Sequence, residues 1–149
     1  MSTTAKPTDG SYVMPSLGHA TVSDAMRHGI LSCEPDAPVS EVARMMATNH
    51  VHCLAVIGVS HRDPECAVWG IVSDLDLIRA GIRRDEGTAA ALAAQPLVSV
   101  EPGMPLREAA EMMFRHGTSH VVVVEEDSER PVGILSTLDI AGVLAWGEA

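Results

Sequence analysis

Aromatic side chains are almost absent from this chain: two Trp, one Tyr and one Phe make up 3% of 149 residues. That scarcity excludes a surface of stacked rings of the kind that holds single-stranded nucleic acid. Cations are scarce too. Ten Lys and Arg face twenty Asp and Glu, a formal net charge of −10, so no basic face is at hand to neutralise the phosphates of a duplex. Neither nucleic acid nor a membrane is an expected partner. The three cysteines, Cys33, Cys53 and Cys66, are odd in number and show no framework spacing. A reducing compartment, and with it a cytoplasmic location, is therefore expected. The chain opens on polar residues, and its longest apolar run, Leu54 to Val59, is far shorter than the roughly 20 residues a spanning helix needs, so neither a secretory leader nor a membrane span is expected. A nucleophile elbow, a Walker loop, a kinase signature and a dinucleotide fingerprint are all missing. Catalysis is not expected.

What is present is aliphatic. Hydrophobic residues make up 46% of the chain, drawn from Val, Ile, Leu, Ala and Met, which suits close packing of helices on a sheet. A chain of this length can bury one good core or two small ones packed on each other. An internal repeat favours two. The stretch from Ile30 to Ile57 aligns with that from Leu97 to Val124. Ser32, Glu34, Pro35, Pro38, Glu41, Ala43, Met45, Met46 and Val56 recur as Ser99, Glu101, Pro102, Pro105, Glu108, Ala110, Met112, Met113 and Val123. After a slip in polar loops, where insertions are tolerated, Gly70 to Ile78 reappears as Gly133 to Ala141. The period is too long for a solenoid, so the chain is two copies of one subdomain.

Each copy reads alike. Val39, Val42, Ala43 and Met46 form one helical stripe, repeated by Leu106, Ala109, Ala110 and Met113, with Pro38 and Pro105 at the helix openings. The paired methionines are most economically core filler. Strands are expected over Val51 to Val59 and Val121 to Val124, each followed by a second short strand, Val68 to Val72 and Val132 to Leu135. Helices then start at Ser73 and Ser136. An extra helix precedes each copy, at the Thr21–Asp24 capping pattern and over Ala89 to Ala94. A three-stranded sheet with helices on one face leaves its other face apolar and open, and the second copy is the obvious cover. The expected division is a disordered tail over 1–14, a first subdomain over 15–83 and a second over 84–149.

The motif with chemical content is G-[IL]-[VL]-S-x-x-D, present as Gly70, Ser73 and Asp76 and again as Gly133, Ser136 and Asp139. It sets a Ser at a helix start with a carboxylate three residues on. One reading is an anion site at the helix N-terminus, with the carboxylate accepting from two vicinal hydroxyls. The other is a capping box that stabilises the helix without any ligand. The pattern alone leaves both open.

The order of these elements, with the duplicated motif, resembles a tandem pair of CBS (cystathionine β-synthase) domains, a Bateman module, over Thr21 to Ala145. The resemblance implies an α+β fold with α/β-like alternation: two pseudo-twofold-related subdomains, each a small three-stranded sheet with helices on one face, packed sheet to sheet. It implies clefts that accept AMP, ADP, ATP or S-adenosylmethionine as a regulatory ligand, with no tightly bound cofactor. Carried over by motif, Asp76 and Asp139 hold ribose hydroxyls, and Ser73 and Ser136 approach phosphate. Ile30, Leu31, Ser32, Val51, His52 and Cys53 line one adenine pocket; Leu97, Val98, Ser99, Thr118, Ser119 and His120 line the other. It also implies a homodimer acting in trans on an unknown protein target. The sequence departs from the family pattern where Leu75 and Leu138 replace a basic residue, Ala55 and Val122 replace a Pro, and Asp74 adds negative charge. These departures favour AMP or ADP over ATP. Arg79, Arg83, Arg84 and Arg130 offset the charge or are solvated surface groups.

Two other clusters compete for attention. His50, His52 and Cys53, with His61 and Cys66 downstream, have no closed-site metal spacing, although His50 and His52 would share a strand face. No metal is expected. His116 and His120 polarise a ligand or border the cleft. A ligand-free docking scaffold and a metal-responsive module are the alternatives to a sensor.

Overall fold

The structure, a computed structural model, describes residues 13–58, 67–83, 87–93, 98–128 and 130–148. Of the expected tail, residues 1–12 lie outside the described residues, as do His61, Cys66 and Arg84. The order of elements is α1 Val22–Ala25, β1 Arg27–His28, β2 Ser32–Cys33, α2 Val39–Asn49, β3 Cys53–Gly58, β4 Ala67–Ser73 and α3 Asp74–Arg83. The second half runs α4 Ala89–Leu92, β5 Ser99–Val100, α5 Leu106–His116, β6 His120–Val124, β7 Pro131–Ser136 and α6 Thr137–Trp146.

Two sheets form. One has the order β2-β3-β4, the other β1-β7-β6-β5. In each, a short parallel strand flanks a longer antiparallel pair, and both pairs shift register at the same place, after Val56 and after Val123. The duplication is thus repeated down to an irregularity in the ladder.

Alternation along the strands explains the architecture. Leu54, Val56 and Val72 point to the helices of their own copy, where they meet Val42 and Met46 of α2. Val121, Val123 and Leu135 do the same against Leu106, Ala109 and Met113 of α5. The residues between them point the other way: Cys53, Ile71 and Val122 are buried together, with Ile134 packed on them. Every second residue therefore serves its own core, and the intervening ones serve the contact between sheets. The expected sheet-to-sheet packing of two α+β subdomains is the observed one. On α2 the buried side chains are Val42 and Met46, with Met45 partly buried; Ala43, expected in the stripe, is exposed.

The second sheet has one strand more than expected. β1 pairs antiparallel with β7, Arg27 opposite Ile134 and His28 opposite Gly133. It belongs to a larger exchange. Ala20, Val22 and Met26 pack into the core of the second copy, while Ala89 and Ala93 pack into the core of the first. Isolated bridges, Thr21 to Pro105 and Pro38 to Thr88, tie these segments down. The packing units interleave along the chain even though the repeats follow one another in sequence.

Gly133 makes the exchange possible. A Cβ there would run into the Arg27 carbonyl, and would lie 2.5 Å from Met26 Cε. The Gly133→Ala variant is expected to lose about 2 kcal/mol or more, because it over-packs a buried backbone contact. Gly81→Ala, where nothing lies within 4 Å of the added carbon, is expected to gain up to about 1 kcal/mol. Thermal melts of the two variants distinguish them; equal melting temperatures would remove this role for Gly133.

A second backbone position is informative. α2 ends at His50 in the left-handed region, φ 53°, where α5 ends at Gly117, φ 61°. His50→Gly is expected to raise stability by about 0.5–1 kcal/mol by relieving the only non-Gly residue with positive φ among the described residues. A melting temperature at or below that of the parent would refute this.

Candidate ligand-binding site

The two copies meet along the sheet centres and part at one edge, leaving a cleft of about 580 Å³. That volume is typical of small-molecule sites, which span about 300–1,000 Å³. Its apolar wall is Ile30, Leu31, Val51, Cys53, Ile134 and Leu138. Its polar groups are Arg27, His28, His52, Asp74, Ser119, His120, Ser136, Thr137 and Asp139. The topology concentrates them there because β3 and β6 begin at this edge, as do α3 and α6.

The corner formed by Ser136 and Asp139 is highly ordered by its own hydrogen bonds. The Ser136 N–H donates to Asp139 Oδ2 at 2.9 Å, and the Ser136 hydroxyl donates to the same oxygen at 3.0 Å. In return the Asp139 N–H donates to Ser136 Oγ at 3.2 Å. This is a capping box at the head of α6. The second carboxylate oxygen, Oδ1, is not part of it and lies 3.8 Å from Arg27 Nε; the Asp139 side chain is 11% exposed and that of Arg27 65%. The first copy repeats the arrangement: Asp76 Oδ2 accepts from the Ser73 N–H at 2.8 Å and from its hydroxyl at 3.0 Å. Asp76 Oδ1 accepts from Arg79 Nη1 at 3.4 Å.

The histidines of the cleft differ in setting. His52 Nδ1 lies 3.0 Å from Asp74 Oδ2 at the exposed rim. His120 is half-buried at the start of β6, with Nδ1 2.8 Å from Ser119 Oγ. Burial pushes its pKa down from the usual 6.5, while Asp74 and Asp139 pull it up and His52 and Arg27 push it down. Burial likewise pushes the Cys53 thiol up to about 12, with Asp74 adding to the effect. Cys53 is a neutral wall of the cleft and not a nucleophile.

The cleft brings together residues expected of two different pockets. Ile30, Leu31, Val51, His52 and Cys53 share it with Ser119, His120, Ser136 and Asp139. Ser32 is placed apart: it pairs with Ala55 in β2 and borders a separate depression with Glu34 and Glu41. Thr118 lines a neighbouring hollow beneath Phe114, and its hydroxyl donates to the His120 carbonyl at 2.9 Å. Ser99 pairs with Val122 in β5, and Val98, just before it, packs on the second core. Leu97 lies outside the described residues. Ser73 and Asp76 occupy the matching corner of the first copy and do not line this cleft. His116 is on the exposed face of α5, its Nδ1 2.8 Å from the Met112 carbonyl. His50 caps α2 and His52 precedes β3, so the two share no strand face.

Sequence reasoning passed over Arg27 and His28. They lie immediately before the first repeat block, in a stretch whose pairing partner is more than a hundred residues away. Thr137 was also missed, although its place beside Ser136 in the motif was a usable signal.

Two interleaved α+β copies with a cleft at their shared edge define the architecture, and comparison with known proteins gives its family. The CBS domain family matches residues 22–83 and 89–145. The chain belongs to the CBS domain family, as a tandem pair. A CBS domain protein of Pyrobaculum aerophilum, solved in complex with AMP, is 30% identical; the match covers 85% of this chain and 98% of that one, with a TM-score of 0.70. The CBS domain pair of another protein, in complex with 5′-methylthioadenosine and S-adenosyl-L-methionine, is 20% identical over 85% of this chain and 96% of its own, with a TM-score of 0.74. It shares the fold. An uncharacterized protein of Methanopyrus kandleri is 26% identical over 127 residues, 83% of this chain and 62% of the relative's length. No helix among the described residues is long and apolar enough to cross a membrane.

The His120 setting has a consequence for stability. A histidine whose folded pKa lies below its unfolded value of 6.5 favours folding above that value and loses the contribution as pH falls through the folded pKa. Melting temperatures measured from about pH 8 to about pH 5 are expected to fall less steeply below pH 6.5 in His120→Gln than in the parent. Parallel curves would show that His120 is not responsible.

Proposed function

We propose that this protein is a non-catalytic regulatory module that binds an adenine nucleotide or adenosyl ligand in the cleft between its two CBS domains. The observation that carries the reading is the convergence, in one cleft of nucleotide size, of the Ser136–Asp139 corner with an apolar slot formed by Ile30, Leu31, Val51 and Cys53. AMP bound to a relative of 30% identity supports it. A flat purine belongs between the apolar side chains. Asp139 Oδ1, which the capping box leaves out, accepts from ribose hydroxyls, and Ser136 stands on the phosphate side. Asp76 and Ser73 are the corresponding pair of the other copy. AMP or ADP suits the cleft better than ATP, because Asp74 and Asp139 already place negative charge there and each further phosphate adds repulsion. The ligand acts by preferring one arrangement of the two copies, shifting the population by its differential affinity for that arrangement. Output is in trans, on a protein target in the cytoplasm.

Exposed apolar side chains support a dimer. Leu75, Ile78 and Ile82 of α3, Phe114 of α5 and Leu138 and Leu144 of α6 are all exposed, and a second copy is the partner we assign to them. The same feature favours the second reading, a docking scaffold that binds no nucleotide.

Calorimetric titration of AMP, ADP, ATP and S-adenosylmethionine separates these readings. Saturable binding is expected, tightest for AMP or ADP. Asp139→Asn, which weakens charged hydrogen bonds to the ribose, is expected to reduce affinity about 10-fold or more. Folded, nucleotide-free protein that gives no heat with any of the four would establish the scaffold instead.

A further inference from the structure

The two motif corners are equivalent in sequence but not in surroundings. Beside Asp139, on the strand next to β7, stand Arg27 and His28, delivered by β1. The register that sets Ile30 over Leu97 sets Arg27, His28 and Gly29 over Ala94, Gln95 and Pro96. The second copy therefore supplies no charge at the corresponding positions. The helix starts differ in the opposite sense. α3 begins with Asp74, whose Oδ1 already accepts from the Leu75 N–H at 2.9 Å; α6 begins with Thr137, a neutral residue. A phosphate at the head of α3 meets a carboxylate that has taken its place, and a phosphate at the head of α6 does not.

The carboxylates themselves are held differently. Arg79, on the same helix as Asp76, donates to the oxygen that the capping box leaves over. Its counterpart in the second copy is Gly142. The cation beside Asp139 instead comes from the neighbouring strand β1, 3.8 Å away on a side chain 65% exposed. It is free to turn towards a ligand without leaving its own helix uncapped. Asp74 also borders the Asp139 cleft, its carboxylate Oδ2 3.0 Å from His52 Nδ1.

We propose that the two motif corners of this chain are unequal: a nucleotide carrying a phosphate occupies only the cleft at Asp139, where Arg27 and His28 recognise the phosphate. This rests on the proposed binding of an adenine nucleotide and specifies which corner holds it and which side chains read its charge. An exposed guanidinium and an exposed imidazole suit a short phosphate chain in a protein that is otherwise strongly acidic, because they donate hydrogen bonds at close range where the net charge is screened.

The test is calorimetric titration of AMP into the full chain, into the double variant Arg27→Gln/His28→Gln, and into Arg79→Gln. These side chains are exposed, so the folds are expected to be unaffected; matched melting temperatures verify this. One AMP per chain is expected, with affinity lowered at least about tenfold in the double variant and within about twofold of the parent in Arg79→Gln. Two AMP per chain, or a larger loss in Arg79→Gln than in the double variant, would overturn the assignment while leaving nucleotide binding intact. An unchanged affinity in the double variant would overturn the role of Arg27 and His28 in the same way. No binding of any adenine nucleotide to the parent would instead remove the proposed function on which the assignment stands.

Discussion

Each sheet of this protein is apolar on both faces, and its helices cover only one. Leu54, Val56 and Val72 are buried under α2, but Cys53 and Ile71 on the reverse face have no helix to cover them. Short strands with one open apolar face are not stable alone, so the second copy is a structural necessity. Val122 and Ile134 supply the missing cover. The rest of the architecture follows from that contact. It sets the two copies face to face, brings the starts of β3 and β6 to a common edge, and leaves the cleft where the sheets stop touching.

The exchange of N-terminal segments reinforces the same contact. Val22 and Met26 complete the core of the second copy, and Ala89 and Ala93 that of the first. Neither copy keeps a full core of its own, and separating them would expose both. The exchange also decides the chemistry of the cleft. Because β1 crosses to lie beside β7 at Gly133, the residues just ahead of the first repeat face the corner of the second. A ligand held in this cleft touches groups from both copies, so its affinity depends on how they are set relative to each other. That dependence is the physical basis of the proposed sensing: a ligand can bias an arrangement only if its contacts differ between arrangements.

Much of this was legible in the sequence because it is local or periodic. The helical stripe through Val42 and Met46, the alternation along β3 and β6, and the helix starts at Ser73 and Ser136 are written in spacings of two, three and four residues. The duplication doubled each signal, so a weak pattern in one copy was confirmed by the other. What stayed hidden is non-local. β1 is two residues long, Arg27 and His28, and carries no β-branched signature; it is a strand only because β7 offers an edge and Gly133 offers space. For the same reason Ser119 and His120, assigned by motif to a pocket of their own, turn up beside Ile30 and Cys53. Residue spacing gives the face on which a side chain lies, but the partner opposite that face is set by how the two sheets dock.

The motif itself shows why its two readings could not be told apart from spacing. A capping box and a ribose-binding carboxylate demand the same Ser and the same Asp, three residues apart. In the structure the capping box uses only one of the two oxygens. Asp139 Oδ2 accepts both the backbone and the hydroxyl of Ser136, and Oδ1 lies outside the box near Arg27. Capping therefore does not compete with a ligand. It immobilises the carboxylate in one rotamer, so that ordering the side chain costs little when a ribose arrives. The stabilising role is the means by which the proposed binding role is prepared. The first copy, with the same box but with Arg79 on its free oxygen, shows that a capped helix start and a ligand corner remain separable properties of one sequence pattern.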